Sequence, residues 1–262
     1  MPASEDKHIF LASDFHLGVP DYHTSLEREK KIIRWLDYIE PKASEIYLVG
    51  DIFDFWFEYK QAVPKGFVRL QGKIAELTDK GIPVHIFTGN HDMWIFDYLP
   101  KELGVTLYRD PIERTWFGKK VYIGHGDGLG PGDRGYKLLK RLFRNALSHW
   151  VFARLHPNFG IWLANKSSKT SRAATGMKDE TFHGKEKEWL YQFCLNKLKN
   201  DDIDLFIFGH RHLPIDIQIG AKSHYLNLGD WINYNTFLEI GPELVSLQSW
   251  DGKEAKPFHF KE

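Results

Sequence analysis

An α/β fold with a mainly parallel sheet at its centre is predicted by two observations. Five short apolar runs, His8 to Ser13, Ile46 to Gly50, Val84 to Gly89, Val121 to Gly124 and Leu205 to Gly209, each stop at a polar or Gly residue, as buried strands do. Helical patterns separate the first three, and strand–helix–strand alternation specifies parallel pairing. The first helix is expected from Thr24-Ser-Leu-Glu27, a capping-box pattern, with Leu26, Ile33, Leu36 and Tyr38 along one side. The second runs from about Phe67 to Lys80 and is stopped by Gly81 and Pro83. From His224 to Trp250 the pattern changes to strands joined by Gly and Pro turns, which predicts a mixed or antiparallel addition to the sheet system.

Composition narrows the class. The 262 residues carry 35 basic and 35 acidic side chains, so a globally cationic nucleic-acid binder is not indicated and no nucleic-acid partner is expected. Cys194 is the single cysteine, in an apolar setting, which fits a buried thiol in a reducing compartment. Met1 to Lys7 lacks the apolar core of a secretory signal, and no run reaches the roughly 20 apolar residues of a spanning helix. The expectation is a cytoplasmic protein of one domain, residues 1–262, touching a membrane at most from one side.

One segment departs from this balance. Between Arg134 and Lys178 there are ten Lys or Arg and no Asp or Glu, leaving 25 basic against 35 acidic residues elsewhere. Leu138, Leu139, Leu142, Phe143, Ala146, Leu147, Trp150, Val151 and Leu155 recur there at helical spacing, and a second apolar helix, Ile161 to Ala164, follows Pro157 and Gly160. Residues from about 130 to 182 therefore read as a basic helical insertion. Its apolar side either packs on the body beneath solvated charges or serves as a lid and membrane-surface element, because basic amphipathic helices favour anionic head groups. Trp150 and Trp162 are the candidates for lipid contact.

Chemistry is concentrated at strand ends. Asp14-Phe-His16, Gly50-Asp51-Ile-Phe-Asp54, Gly89-Asn90-His91-Asp92, Gly124-His125-Gly126-Asp127 and Gly209-His210-Arg211-His212 each follow one of the five apolar runs. Ligands of open α/β sheets bind beyond the carboxyl ends of the strands, so these blocks can converge. They offer carboxylate, amide and imidazole donors without thiolate, a set for ions such as Mn, Fe, Zn or Mg. A carboxylate that bridges two such ions makes a binuclear site suited to phosphoester hydrolysis. Asp54 reads either as an acceptor behind a ligand histidine or as a strand-end cap; Gly220, Asn227 and Gly229 read as turn residues.

These five blocks, in this order, resemble the calcineurin-like metallophosphoesterases. The resemblance spans Asp14 to His212 and implies a sandwich of two mixed β-sheets flanked by helices. It also implies two divalent ions, commonly manganese: Asp14, His16, Asp51 and His212 around one, and Asp51, Asn90, His125 and His210 around the other. Asp51, Asn90 and His91 are the implied catalytic residues, with His91 acting on the leaving oxygen and Asp92 orienting it. Within the family the chain is most similar to the pyrophosphatases that cleave UDP-2,3-diacylglucosamine in lipid A synthesis. That likeness rests on Gly50 to Trp56, on His125 to Tyr136 and on a basic insertion between the last two histidine blocks. It implies a lipid-linked UDP-sugar as substrate, an anionic membrane surface as partner, peripheral attachment to the inner face of the cell membrane, and no obligatory protein partner. Asn90, His91, Asp133, Ser168, Arg172 and His210 are the implied substrate contacts. His91 stands where that subgroup carries Arg, whereas His is the general family form. Another phosphomonoester, phosphodiester or nucleotide substrate thus stays open, and so does a scaffold role, which intact metal ligands disfavour.

Overall fold

The computed structural model describes residues 7–130, 134–163, 166 and 181–260. Its first strand, His8–Ala12 (β1), serves two cores at once. Phe10 and Ala12 face one hydrophobic cluster while Ile9 and Leu11 face another, because successive side chains of a strand point to opposite faces. Ala43–Val49 (β2) repeats the division, with Ile46 and Leu48 on one side and Tyr47 and Val49 on the other. Val84–Phe87 (β3) and Thr106–Tyr108 (β4) complete a parallel run β1-β2-β3-β4.

The outer face of this run is covered by Tyr22–Ile39 (α1) and Val68–Asp79 (α2). Ile32, Trp35, Leu36 and Ile39 from α1 and Leu70, Ile74 and Leu77 from α2 are buried there. Each such aliphatic side chain contributes about 1.5–3 kcal/mol by leaving water. The cap of α1 differs from expectation: Asp21, not Thr24, is the N-cap, and its Oδ1 accepts from the Thr24 amide at 3.0 Å. Tyr22 and His23 are already helical, so the amide three positions past Asp21 is the one its short side chain reaches. A short helix, Tyr98–Leu103 (α3), leads into β4.

The second sheet begins with the hairpin Ile112–Trp116 (β5) and Lys119–Ile123 (β6). The insertion follows with Arg134–Phe143 (α4), Ala146–Phe152 (α5) and a helical stretch at residues 157–163 (α6). Trp189–Lys197 (α7), Leu205–Phe208 (β7), Pro214–Ile219 (β8) and Ser223–Leu228 (β9) come next. This sheet has the order β5-β6-β7-β9-β8, parallel at β6–β7 and β7–β9. Thr236–Ile240 (β10), Val245–Trp250 (β11) and Ala255–Pro257 (β12) then join the first sheet, antiparallel beside β1. The stretch from His224 to Trp250 is therefore shared between two sheets. Asn227, expected in a turn, lies buried within β9; Gly220 occupies a turn and Gly229 directly follows β9, both with positive φ.

The two sheets face each other through Val121, Ile123, Leu205, Ile207, Leu226 and Leu228 against the inner residues of β1, β2 and β3. Outside the second sheet, Leu190 and the buried Cys194 of α7 pack on Phe206, Phe208 and Tyr225. Two mixed sheets between helices are the outcome, and the carboxyl ends of β1, β2, β3, β6 and β7 gather at one edge. No described helix is long and apolar enough to cross a membrane.

Two bases of α4 and Arg144, just beyond its end, find partners on the body, the first two half-buried and the third at the surface. Lys140 Nζ lies 2.6 Å from Asp127 Oδ2, Lys137 Nζ donates to the Gly130 carbonyl at 2.6 Å, and Arg144 Nη1 donates to Asp110 Oδ1 at 2.8 Å. The indole of Trp94 donates to the Phe143 carbonyl at 2.9 Å and packs on Phe143 and Phe152. Leu138, Leu142, Leu147, Trp150, Val151 and Trp162 stay exposed.

Candidate metal centre

The ladder between β1 and β2 continues past the last paired residues of both strands. The amides of Asp14, His16 and Leu17 donate to the carbonyls of Gly50, Asp51 and Ile52 at 3.1, 2.9 and 3.0 Å, which sets the first two motifs side by side. To aim their side chains at a common point, Asp14, His16, Asp51, His210 and His212 adopt positive φ, between 43° and 69°. A left-handed backbone costs a non-Gly residue about 1–3 kcal/mol, so five at one strand edge represent strain concentrated at a working site. Close approach is also required: a Cβ on Gly50 would lie 2.5 Å from His125 Nδ1, and one on Gly209 would lie 2.5 Å from Asp14 Oδ2.

Three donor groups result among the described residues: Asp51 belongs to two of them, and His16, Asp54 and His91 form the third. Asp14, His16, Asp51 and His212 each present an atom within 4.8 Å of the others, as do Asp51, His125 and His210. His16 Nε2 and His212 Nε2 are 3.0 Å apart, and both lie near Asp14 Oδ1, at 3.6 and 3.4 Å. His125 Nε2 is 3.2 Å from Asp51 Oδ2 and 3.4 Å from Asn90 Oδ1. The seven predicted donors are therefore brought together, with Asn90 beside the second group.

The carboxylates are half satisfied in a consistent way. Asp14 Oδ2 accepts from the His210 amide at 3.0 Å and Asp51 Oδ1 from the His91 amide at 2.8 Å. Their other oxygens, Asp14 Oδ1 and Asp51 Oδ2, are buried without a hydrogen-bond partner. Buried polar atoms are ordinarily paired, so two orphaned anionic oxygens aimed at imidazole nitrogens fit divalent cations between them. The far side of His125 is fixed too: its Nδ1 lies 2.8 Å from the Val49 carbonyl, which makes Nδ1 the protonated nitrogen and turns Nε2 to the site.

The proton inventory points the same way. Burial alone would depress His16 and His125, but Asp14 and Asp54 beside the first and Asp51 beside the second hold both up at about 10. Asp14 and Asp51 are kept below the usual carboxylate range, burial being outweighed by the neighbouring histidines. His210 is pushed down to about 4 by burial and by the charge on His125, leaving a neutral imidazole. Protons thus hold the place that cations take when carboxylate and imidazole become ligands.

His91 stands at the edge of this centre, its ring 4.9 Å from that of His16. Its Nδ1 lies 3.0 Å from the Asp54 carbonyl and 3.6 Å from Asp54 Oδ1, which is also 3.4 Å from His16 Nδ1. Asp54 therefore stands behind both rings, its carbonyl accepting from His91 and its carboxylate facing His16 Nδ1. Asp92, expected to orient His91, instead accepts the amides of Gly89 and Ile52 at 2.7 and 2.8 Å, because its buried carboxylate faces the turn between β3 and the second motif. Burial and the nearby Asp51 push Asp92 up to about 7.

Several supporting residues escaped the sequence reading. Arg28 of α1 donates to the carbonyls of Phe15, His16 and Val19 at 3.2, 2.8 and 3.1 Å, fastening the loop after β1. Asn227 Nδ2 donates to the Gly209 carbonyl at 2.5 Å, and the buried Asp230 lies 3.9 Å from His212 Nδ1. No spacing pattern flags them, since each acts through a contact distant in sequence. Asp133, Ser168 and Arg172 lie outside the described residues.

The model of the calcineurin-like phosphoesterases matches residues 7–214. The chain belongs to that family. A Porphyromonas gingivalis protein named UDP-2,3-diacylglucosamine hydrolase is 38% identical over 94% of this chain and 98% of its own length. Proteins of the same name from Pseudomonas aeruginosa and Aeromonas hydrophila are 30% and 28% identical, each over 86% of this chain and 94% of their own. Membership makes this chain a metallophosphoesterase, and divalent metal ions are the cofactors that the family implies for its clustered Asp and His side chains.

Proposed function

We propose that this chain hydrolyses the pyrophosphate of UDP-2,3-diacylglucosamine to UMP and 2,3-diacylglucosamine 1-phosphate, using two manganese ions. The observation that carries the reading is identity over nearly the full length of a relative bearing that name. In this reading Asp14, His16, Asp51 and His212 hold one ion, and Asp51, Asn90, His125 and His210 hold the other. When bound, the pair polarises the phosphoryl group and stabilises charge developing on it.

The chain's own residues do the rest. Asn90, His91 and His210 flank the reacting phosphate. Asp54 keeps the His91 ring oriented through Nδ1, so proton exchange with the departing oxygen goes through Nε2. Burial lowers the His91 pKa, so the resting ring is neutral with Nε2 unprotonated; Nε2 takes a proton from solvent as the anionic substrate binds and passes it to the departing oxygen. Asp133, Ser168 and Arg172 serve as substrate contacts carried by the insertion.

The insertion acts as a lid for the acyl chains and rests on the anionic inner face of the cell membrane. Its exposed indoles support this: Arg154 stands 4.7 Å from the Trp150 ring and Lys166 stands 5.2 Å from the Trp162 ring. Each pair joins an apolar plate to a cation, the combination that interfacial anchoring requires.

His91 favours a second reading, a phosphomonoester or phosphodiester, because an alkoxide leaving group needs a proton more than a phosphate does. Purified, manganese-loaded protein should release UMP from the lipid nucleotide. Rapid cleavage of 4-nitrophenyl phosphate with the lipid nucleotide left intact would select the second reading.

A further inference from the structure

The segment His210-Arg211-His212 supplies one imidazole to each donor group that contains Asp51, yet the side chain between them points elsewhere. Arg211 is buried, with Nε 3.2 and 3.1 Å from the two carboxylate oxygens of Glu188 and Nη2 donating to the Thr181 carbonyl at 3.2 Å. Glu188 is buried as well and is the N-cap residue of α7. It also accepts from the Tyr225 hydroxyl at 3.2 Å, which ties the pair to β9. The next residue, Trp189, sets its ring edge-on to His210 at 5.6 Å.

Thr181 to Trp189 is where the chain returns from the insertion to the body. The loop carrying both imidazoles is thus gripped by the insertion's root through a charge pair and an aromatic edge. Such a grip has a definite task. His210 and His212 both occupy left-handed backbone, at φ of 69° and 52°, and a strained loop relaxes unless its surroundings hold it. A guanidinium that makes fork-like contacts to a carboxylate and a carbonyl fixes direction as well as charge, which an ammonium does not.

We propose that Arg211 and Glu188 form a positioning pair that sets the spacing of His210 and His212, and with it simultaneous occupancy of both metal positions. The inference rests on the ligand assignment made above and deepens it: neither residue touches a metal, and both act through the two imidazoles. Residues that support metal ligands in this manner commonly govern affinity by about 10–100-fold.

The test uses the full chain and manganese alone, with bis(4-nitrophenyl) phosphate as a small substrate. Glu188→Gln preserves shape while removing the charge; Arg211→Met removes the fork. In both, the affinity for the more weakly held ion should fall by about 10–100-fold, and the exchange-coupled spin-resonance signal of a manganese pair should give way to that of single ions. The kcat on the diester should fall in step with occupancy, with KM unchanged. Arg211→Lys should recover part of the affinity, since it restores charge without the fork. Folded variants that bind two ions with native affinity and give the native coupled signal would overturn the inference. Failure of both variants to fold without metal would overturn it too, by making the pair a determinant of the fold rather than of metal spacing. Because the lipid nucleotide is not used, an error in the substrate assignment shows itself separately, in UMP release.

Discussion

The strand edge and the helical insertion answer opposite demands. At the edge, polar groups are buried, interlocked and strained: Asp14, His16 and Asp51 are almost wholly shielded from solvent, and all three hold left-handed backbone. The insertion leaves apolar groups in water, with Leu138, Leu147 and Trp162 at 68%, 66% and 54% exposure. Each region violates the ordinary rule of what lies inside, and in opposite senses. Buried charge without compensation and exposed apolar surface without cover both raise the free energy of the chain, and each is relieved by something that binds. The edge fits cations; the proposed function gives the insertion a lipid surface to cover its exposed side chains.

Breaking the edge should have the largest effect. Asp51→Ala removes the residue that two donor groups share and should lower hydrolysis of any phosphoester by roughly 10³-fold or more, the scale expected when electrostatic stabilisation of the transition state is lost. Steady-state assay together with metal analysis checks it; full activity with two bound ions would break the contrast. Asn90→Ala and His125→Ala should act in the same direction.

Metal removal comes next. If ions relieve the buried charge, they stabilise the folded state by about 2.7 kcal/mol at a concentration of 100 times Kd, so a chelator should lower the melting temperature. The pH dependence has a defined sign. His16 and His125 rise from 6.5 to about 10 in the folded chain, so without metal their stabilising contribution is complete below 6.5 and is lost as pH rises through 10. Metal must displace those protons, so apparent affinity should increase with pH across that window, as calorimetric titration would register. Affinity independent of pH would count against these imidazoles as ligands.

The fastening between the two regions should matter less. Lys140→Met leaves Asp127, which is 5% exposed, without its ammonium partner and should cost about 1–3 kcal/mol, seen as easier proteolysis within the insertion while metal stoichiometry stays at its native value. The smallest change is expected at the exposed indoles. Trp150→Ala combined with Trp162→Ala should weaken binding to anionic vesicles and raise KM for the lipid nucleotide by several-fold, roughly 1 kcal/mol, with a smaller effect on a short diester. Equal losses on both substrates would erase the distinction between the regions.

Much of this is legible in the sequence, and the reason differs by element. Strands β1, β2, β3, β6 and β7 each end in a largely apolar run followed at once by its donor block, so strand end and chemistry could be read from one local pattern. Helix α2 carried its own stop signal. By contrast, β4, β5, β8 and β12 are short or exposed on one side, and α3 has only six residues, so periodicity had too little length to register. Charge partners of the basic segment are not legible in sequence, which records charge and not direction; Lys140 and Arg144 meet Asp127 and Asp110, which arrive from other segments.

By itself, then, the sequence determined the donor types and the strand ends that carry them, because these follow from local periodicity and residue chemistry, while the family followed from the resemblance of five ordered motif blocks. Only the tertiary structure decided which carboxylate oxygens lie unpaired, that Asp54 rather than Asp92 stands behind His91, and that Arg211 reaches Glu188 instead of solvent. Those outcomes depend on the meeting of groups from distant segments, where burial and hydrogen-bond geometry, and not neighbouring residues, choose the partner.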